Sequence, residues 1–181
     1  MSIGSERKKA ISIRFCGLGG MGVILASIIL GKAAIYDNKG ALQTQSYGAE
    51  QRGTKVKADV TISEEDFIIY PEIEEPDILV AFSQTAFDFY ATDTTPDTQL
   101  FLNSDLIDFQ EERTMVHTIP ANTLALELKS DKIANMIMLG ALIRTTSLVS
   151  KESIVKAIAE SVSKALLDLN VQAFQSGYDF L

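Results

Sequence analysis

A glycine turn between a short strand pattern and an apolar helix pattern constrains this fold most. Ile11, Ile13 and Phe15 alternate with Ser12, Arg14 and Cys16, which reads as a strand with mixed faces. The chain then runs through Gly17-Leu18-Gly19-Gly20-Met21-Gly22. An apolar, small-residue run follows from Val23 to about Ile35, with almost no polar face before Lys32. A helix of that kind is largely buried. Strand, turn and buried helix together require a sheet with helices packed against it.

The rest of the chain extends this pattern. Leu42 to Tyr47 has strand character. Lys55 to Ser63 sets Val56, Ala58, Val60 and Ile62 against Lys57, Asp59 and Thr61, a half-buried strand. The two are close in sequence, which predicts an antiparallel pair. Residues 63–76 form an acidic connection limited by Pro71 and Pro76. Asp77 to Phe82 is a continuous apolar strand, the type buried on both faces of an α/β sheet. A short helix is predicted over Gln84 to about Tyr90, and strands at Leu100–Asn103 and Thr114–Ile119. Pro120 opens a helix running to Lys129. Asp131 is expected to cap a helix from Lys132 to about Thr145. Ser150, or alternatively Ser153, is expected to cap one last long helix. Its apolar stripe is Ile154, Val155, Ile158, Val162, Leu166 and Leu169. No repeat or dividing linker interrupts the 181 residues. The expected architecture is a single three-layer α/β/α domain over residues 1–181, with 1–10 a polar N-terminal tail. Its sheet is expected to be mixed and mostly parallel.

Composition removes several function classes. Hydrophobic residues are 46% and charged residues 22%, which argues against disorder. Cys16 is the one cysteine, so the chain cannot close an internal disulfide or ligate an iron–sulfur cluster by itself. With 16 basic against 24 acidic residues the net charge is −8. Such a surface repels phosphate backbones and anionic lipid, so neither nucleic acid nor membrane is expected as a partner. The apolar stretches Val23–Leu30 and Ile133–Ile143 fall short of the ~20 residues of a spanning helix. The first nine residues lack the apolar core of a signal peptide, and the expected location is cytoplasmic.

Three groups of residues carry possible chemistry. Gly17-x-Gly19-x-x-Gly22 has the strand-to-helix context of a dinucleotide-binding turn. The acid expected to bind a ribose at the end of the second strand is missing, which leaves a tight packing turn as the alternative. The polar loop Tyr47-Gly48-Ala49-Glu50-Gln51-Arg52-Gly53 comes next. Arg52 beside Gly53 can reach a carboxylate or phosphate, and the bland alternative is a Glu50–Arg52 surface ion pair. The third group is Asn135-Met136-Ile137-Met138-Leu139-Gly140, either a core helix with a close contact at Gly140 or a subunit interface. His117 reads as a structural strand residue. Cys16 reads as a buried small apolar residue, or else as lining a site beside the turn. The acidic residues Glu64, Glu65, Asp66, Glu72, Glu74 and Glu75 read as a solvated face, and no metal site is expected. No self-sufficient catalytic set is present.

In this order, these groups resemble the gamma subunit of 2-oxoacid:ferredoxin oxidoreductases. The resemblance rests on Gly17 to Val23, Gln45 to Gly53, Pro76-Asp77-Ile78-Leu79, Ile119-Pro120-Ala121 and Asn135-Met136-x-x-Leu139-Gly140-Ala141. It covers nearly the whole chain. The family usually has Gln where Met21 stands and a second Gly where Thr54 stands, so the turn here is less polar and the loop stiffer. The resemblance implies a subunit of a complex that oxidatively decarboxylates a 2-oxoacid, with 2-oxoglutarate favoured. The acyl group passes to coenzyme A and the electrons to ferredoxin. It also implies alpha, beta and ferredoxin-like partner subunits. Thiamine diphosphate, magnesium and iron–sulfur clusters belong to those companions, with coenzyme A as co-substrate and no cofactor bound by this chain alone. Gly17, Gly19, Gly20, Gly22, Tyr47, Glu50, Arg52, Gly53 and Asn135 are the expected ligand- or subunit-contacting residues, and none of them is assigned a catalytic step. The alternatives are a free-standing nucleotide-binding α/β protein and a purely structural interaction subunit.

Overall fold

The computed structural model describes residues 10–47, 54–64, 72–110, 112–113 and 115–181. Strand β1 (Ala10–Leu18) leads through the glycine turn into helix α1 (Val23–Tyr36). Strands β2 (Gly40–Tyr47), β3 (Lys55–Ser63) and β4 (Ile78–Ala81) follow. Helix α2 (Gln84–Tyr90) precedes strands β5 (Gln99–Asn103) and β6 (Val116–Ile119). Helices α3 (Ala121–Glu127), α4 (Ala134–Thr146), α5 (Lys151–Ser161) and α6 (Leu167–Phe180) complete the chain. The six strands lie in the order β2-β3-β1-β4-β5-β6. The β2–β3 and β3–β1 pairs are antiparallel, while β1–β4, β4–β5 and β5–β6 are parallel. The mixed, mostly parallel sheet is therefore as expected, including the antiparallel hairpin pair.

Strand alternation divides the core between two faces. Ile13 and Phe15 of β1 join Ala58 and Val60 of β3 beneath α1 and the α3–α6 layer. Cys16, Leu79, Ala81, Leu100 and Leu102 face the other way, onto Ala86, Phe87 and Tyr90 of α2. Every residue of β4 is buried, as its unbroken apolar run predicts.

Two helix boundaries differ from expectation. Asp131 does not cap α4, which begins at Ala134 after Ile133. No side chain among the described residues caps it; the Ser130 hydroxyl accepts from the Lys132 N–H at 3.3 Å in the turn that precedes the helix. The last helix is also two helices. Ser150 caps α5, its hydroxyl accepting from the Ser153 N–H, but α5 ends at Ser161 and Val162 is extended. A 3₁₀ turn over Lys164–Leu166 then redirects the chain into α6. The redirection lets α6 lie along α4 at backbone distance. A Cβ on Gly140 would fall on the Phe174 carbonyl oxygen, and one on Gly177 would fall on that of Ile137. The Asn135–Gly140 segment is thus core, with Asn135 to Ile143 all buried.

Arg14 departs most from the sequence reading. It is 1% exposed, where the sequence reading gave only a strand with mixed faces. Its guanidinium donates to both Asp59 carboxylate oxygens at 2.9 Å, to Asp93 at 2.5 Å and to the Ile73 carbonyl at 2.5 Å. Burial opposes its charge, but the Asp59 and Asp93 carboxylates outweigh that and hold its pKa above the ordinary value. This network occupies the α2 side of the sheet. It explains why Asp59 and Thr61, expected on an open face, are buried.

Asp37 fastens α1 to α5. It accepts from the Ser150 N–H at 2.5 Å, the Ser150 hydroxyl at 2.7 Å and the Ser153 hydroxyl at 2.5 Å. Partial burial pulls this carboxyl up, but the serine donors and nearby Lys39 outweigh it and leave its pKa below the ordinary range. Its stabilisation is complete above the unfolded value of ~3.9 and disappears as pH falls through the folded value. Asp37→Asn is expected to lose about 1–2 kcal/mol at neutral pH. In urea titrations the gap from wild type should narrow below about pH 4. A gap independent of pH would remove this assignment.

Candidate functional site

The sheet changes winding direction between β1 and β4. The connection after β1 passes to α1 on one face, and that after β4 passes to α2 on the other. In open α/β sheets, ligands and reacting groups settle in the crevice at such a divergence, beyond the carboxyl ends of the strands. The glycine turn forms one wall. Gly20 has φ of +96° and Gly22 φ of +74°, left-handed values that side chains resist. A Cβ on Gly17 would lie 2.8 Å from Val23 Cγ2 and 3.1 Å from Phe82 Cβ. Gly17 thus leaves the room in which Val23 of α1 and Phe82, just past β4, pack against the end of β1. The Phe82 N–H donates to the Cys16 carbonyl at 2.9 Å and seals the same junction.

The turn is pinned from three directions. The Met21 N–H donates to the Leu18 carbonyl at 3.1 Å, and Met21 Sδ accepts from the Leu18 N–H at 3.3 Å. Met21 thus turns its sulfur onto the backbone and offers no polar group outward. The Gly19 N–H donates to the Thr54 carbonyl at 3.0 Å. From α4, the Asn135 side-chain amide donates to the Gly22 carbonyl at 3.2 Å. A Cβ on Gly22 would fall on that same amide. Gly22 and Asn135 are therefore a matched pair, one residue vacating the space the other fills.

The crevice keeps unused hydrogen-bonding capacity. Ser83 Oγ and Asn135 Oδ1 are buried and lack partners among the described residues. Ser83 lies two residues beyond the end of β4, after Phe82, and immediately precedes α2. The first turn of α1 has neither an acidic residue nor a side-chain cap, so its N–H dipoles favour negative charge. Orphaned buried polar atoms are costly, and their natural partners are a ligand or an apposed chain.

Of the predicted contact residues, Gly17, Gly19, Gly20, Gly22 and Asn135 converge on this wall. Glu50, Arg52 and Gly53 lie outside the described residues. Tyr47 ends β2 opposite Val56. Because Thr54 bonds Gly19, the residue that follows the Arg52 loop is tied to the glycine turn. Ser83 was not identified from sequence. Its signal was position, the first polar residue after the buried strand at the switch point. A polar cleft of about 350 Å³ also opens among Thr44, Gln45, Ser46, Lys57, Asp59 and Glu72.

Other candidates have structural roles. His117 stacks on Phe101 at 4.6 Å, and its Nε2 lies 2.8 Å from the Gln99 side-chain nitrogen. Burial lowers its pKa. Cys16 is fully buried, and burial pushes its thiol far above the range of a reactive thiolate. Glu64, Glu72, Glu74 and Glu75 are exposed, as a solvated face requires. Glu65 and Asp66 lie outside the described residues. Among the described residues, no three metal-ligating side chains gather and no helix is long and apolar enough to cross a membrane.

The family model for pyruvate ferredoxin/flavodoxin oxidoreductase matches residues 12–180. The chain belongs to this family. Within the pyruvate ferredoxin/flavodoxin oxidoreductase family it is of gamma type. A 2-oxoglutarate synthase subunit KorC from Methanocaldococcus jannaschii is 46% identical over 172 residues, covering 92% of this chain and 91% of that one. A pyruvate synthase subunit PorC from Methanothermobacter marburgensis is 34% identical over 171 residues, covering 93% and 96%. The crystal structure of a keto/oxoacid ferredoxin oxidoreductase gamma subunit from Geobacter sulfurreducens superposes with a TM-score of 0.81 at 37% identity. It covers 93% of this chain and 96% of that one.

Proposed function

We propose that this chain is the gamma subunit of a 2-oxoglutarate:ferredoxin oxidoreductase, a cytoplasmic complex that converts the oxoacid to its acyl-coenzyme A. Identity of 46% to a 2-oxoglutarate synthase subunit, against 34% to a pyruvate synthase subunit, supports that substrate. In this reading the whole length acts as one gamma-type domain beside alpha, beta and ferredoxin-like subunits. Those companions hold thiamine diphosphate with magnesium and the iron–sulfur clusters, and ferredoxin takes the electrons. One buried cysteine gives this chain no means of holding a cluster, which fits that division.

The Gly19–Thr54 hydrogen bond carries the reading for this chain's own residues. It ties Thr54, the residue after the Arg52 loop, to the glycine turn, and in this reading the two motifs act together as one contact surface. Gly19, Gly20 and Gly22 let that surface approach a phosphate or a partner closely, with Asn135 holding the turn's shape. Tyr47, Glu50, Arg52 and Gly53 add the polar contacts that shape the approach of coenzyme A. A guanidinium–phosphate contact is worth about 1.5–3 kcal/mol. Arg52→Ala in the assembled complex is expected to raise KM for coenzyme A about tenfold or more with kcat nearly unchanged.

The test is affinity purification of the tagged chain from its host without oxygen, followed by oxoacid- and coenzyme-A-dependent dye reduction. Co-purifying partners and preference for 2-oxoglutarate would support the assignment. Preference for pyruvate or a branched oxoacid would overturn the substrate. A chain without partners that binds a nucleotide alone would overturn the function. An Arg52→Ala complex with unaltered kinetics would take the loop out of the site.

A further inference from the structure

The switch-point crevice holds hydrogen-bonding groups of both kinds, donors and acceptors, and that mixture limits what can fill it. Asn135 is 3% and Ser83 6% exposed, and neither Asn135 Oδ1 nor Ser83 Oγ has a partner among the described residues. The other half of the Asn135 amide fixes where Oδ1 lies, because it donates to the Gly22 carbonyl at 3.2 Å. That carbonyl also accepts from the Ala26 N–H at 3.0 Å, so Asn135 sits at the first turn of α1. The parallel register of β1 and β4 pairs Cys16 with Ala81. Carried two residues on, through the Phe82 bond to Cys16, it sets extended Ser83 beside Leu18. The two orphaned groups therefore flank the glycine turn, Ser83 at its entry and Asn135 at its exit. Between them Gly20 is exposed, and a Cβ there would meet nothing within 4 Å, so the turn opens on free space. Met21 keeps its sulfur on the backbone, which leaves this wall apolar between its polar ends.

Asn135 Oδ1 can only accept a hydrogen bond. The N–H groups of the first turn of α1, which no described side chain caps, can only donate, and the helix dipole makes that end positive. The Ser83 hydroxyl does either. A phosphate dianion brings acceptors and would leave Asn135 Oδ1 orphaned. An ammonium brings donors and would meet the positive end of the helix. A secondary amide brings an N–H and a carbonyl with no net charge, and it answers every group. We infer that the crevice takes the pantetheine arm of coenzyme A, an amide N–H donating to Asn135 Oδ1 and an amide carbonyl accepting from the Ser83 hydroxyl. The arm's methylenes lie against the apolar wall. The inference rests on the coenzyme A reading above and deepens it: phosphate goes to the Arg52 loop, and the uncharged arm runs along the glycine turn.

Two inhibitors of the purified complex separate these parts. S-methylpantetheine carries the amides with neither phosphate nor free thiol, and adenosine bisphosphate carries phosphates without the amides. Both should compete with coenzyme A. Ser83→Ala should raise the inhibition constant of the first about tenfold and leave that of the second unchanged, and Arg52→Ala should do the reverse. Methylating both amide nitrogens of S-methylpantetheine should abolish its inhibition, because Asn135 Oδ1 then meets no donor. The Ser83→Ala complex should melt no lower than wild type, since the hydroxyl removed has no partner to lose. Unchanged inhibition of Ser83→Ala by S-methylpantetheine, or equal inhibition by its methylated form, would overturn the inference and leave the Arg52 reading standing. So would a rise for the bisphosphate, which puts phosphate in the crevice, or loss of companion subunits from the Ser83→Ala complex, which puts a partner chain there. A wild-type complex whose turnover ignores coenzyme A would overturn both.

Discussion

Replacing Arg14 with leucine is expected to destabilise the chain by about 3–5 kcal/mol, a large share of a domain's stability. The loss is not chiefly that of one contact. Asp59 is 5% exposed, and without the guanidinium Lys57, 3.9 Å away, is the one cation left to answer its charge among the described residues. Asp93 is better placed, since 39% of its side chain already meets solvent. The double variant Arg14→Met/Asp59→Leu should recover most of the loss, because an apolar pair removes the desolvation cost from both sides. Urea denaturation of the single and double variants measures this. If Arg14→Leu cost under about 1 kcal/mol, the pair would have to be hydrated in solution.

The second large effect is expected at Gly177. Alanine there sets a Cβ on the Ile137 carbonyl, and backbone cannot step aside as a side chain can. The α4–α6 contact must then open, at a cost of about 3 kcal/mol or more. Gly140→Ala should act alike through Phe174. The two losses should fall well short of additive in the double variant, since one separation relieves both clashes. Thermal denaturation gives the comparison. A Gly177→Ala chain melting within a degree or two of wild type would mean the helices are not in backbone contact.

Strands were legible because their alternation is local. Val56 to Ile62 declared both the strand and its inward face, and Asp77 to Phe82 declared a central one. The glycine turn was legible for the same reason. Arg14 was not, because its partner Asp59 is 45 residues away and Asp93 is 79 away. Alternation shows which residues share a face, but not whether a helix will later cover that face. The split between α5 and α6 was hidden because Val162 and Leu166 continue the apolar stripe. The helix nonetheless ends at Ser161, where Val162 turns extended, and the redirected α6 brings Gly177 against Ile137. Asn135 could be named from its motif, but not its bond to Gly22, which depends on α4 crossing above the turn. Ser83 needed the switch point, which is a property of strand order.

The lone thiol gives the molecule a built-in clock. Cys16 sits at 0% exposure in a central strand, flanked by β3 and β4. A reagent cannot reach its sulfur until those neighbours part. The labelling rate in native buffer therefore reports how often the middle of the sheet comes open, with no added dye or engineered residue. Bound partners that never touch Cys16 should still slow it, by the extent to which they hold the folded form together.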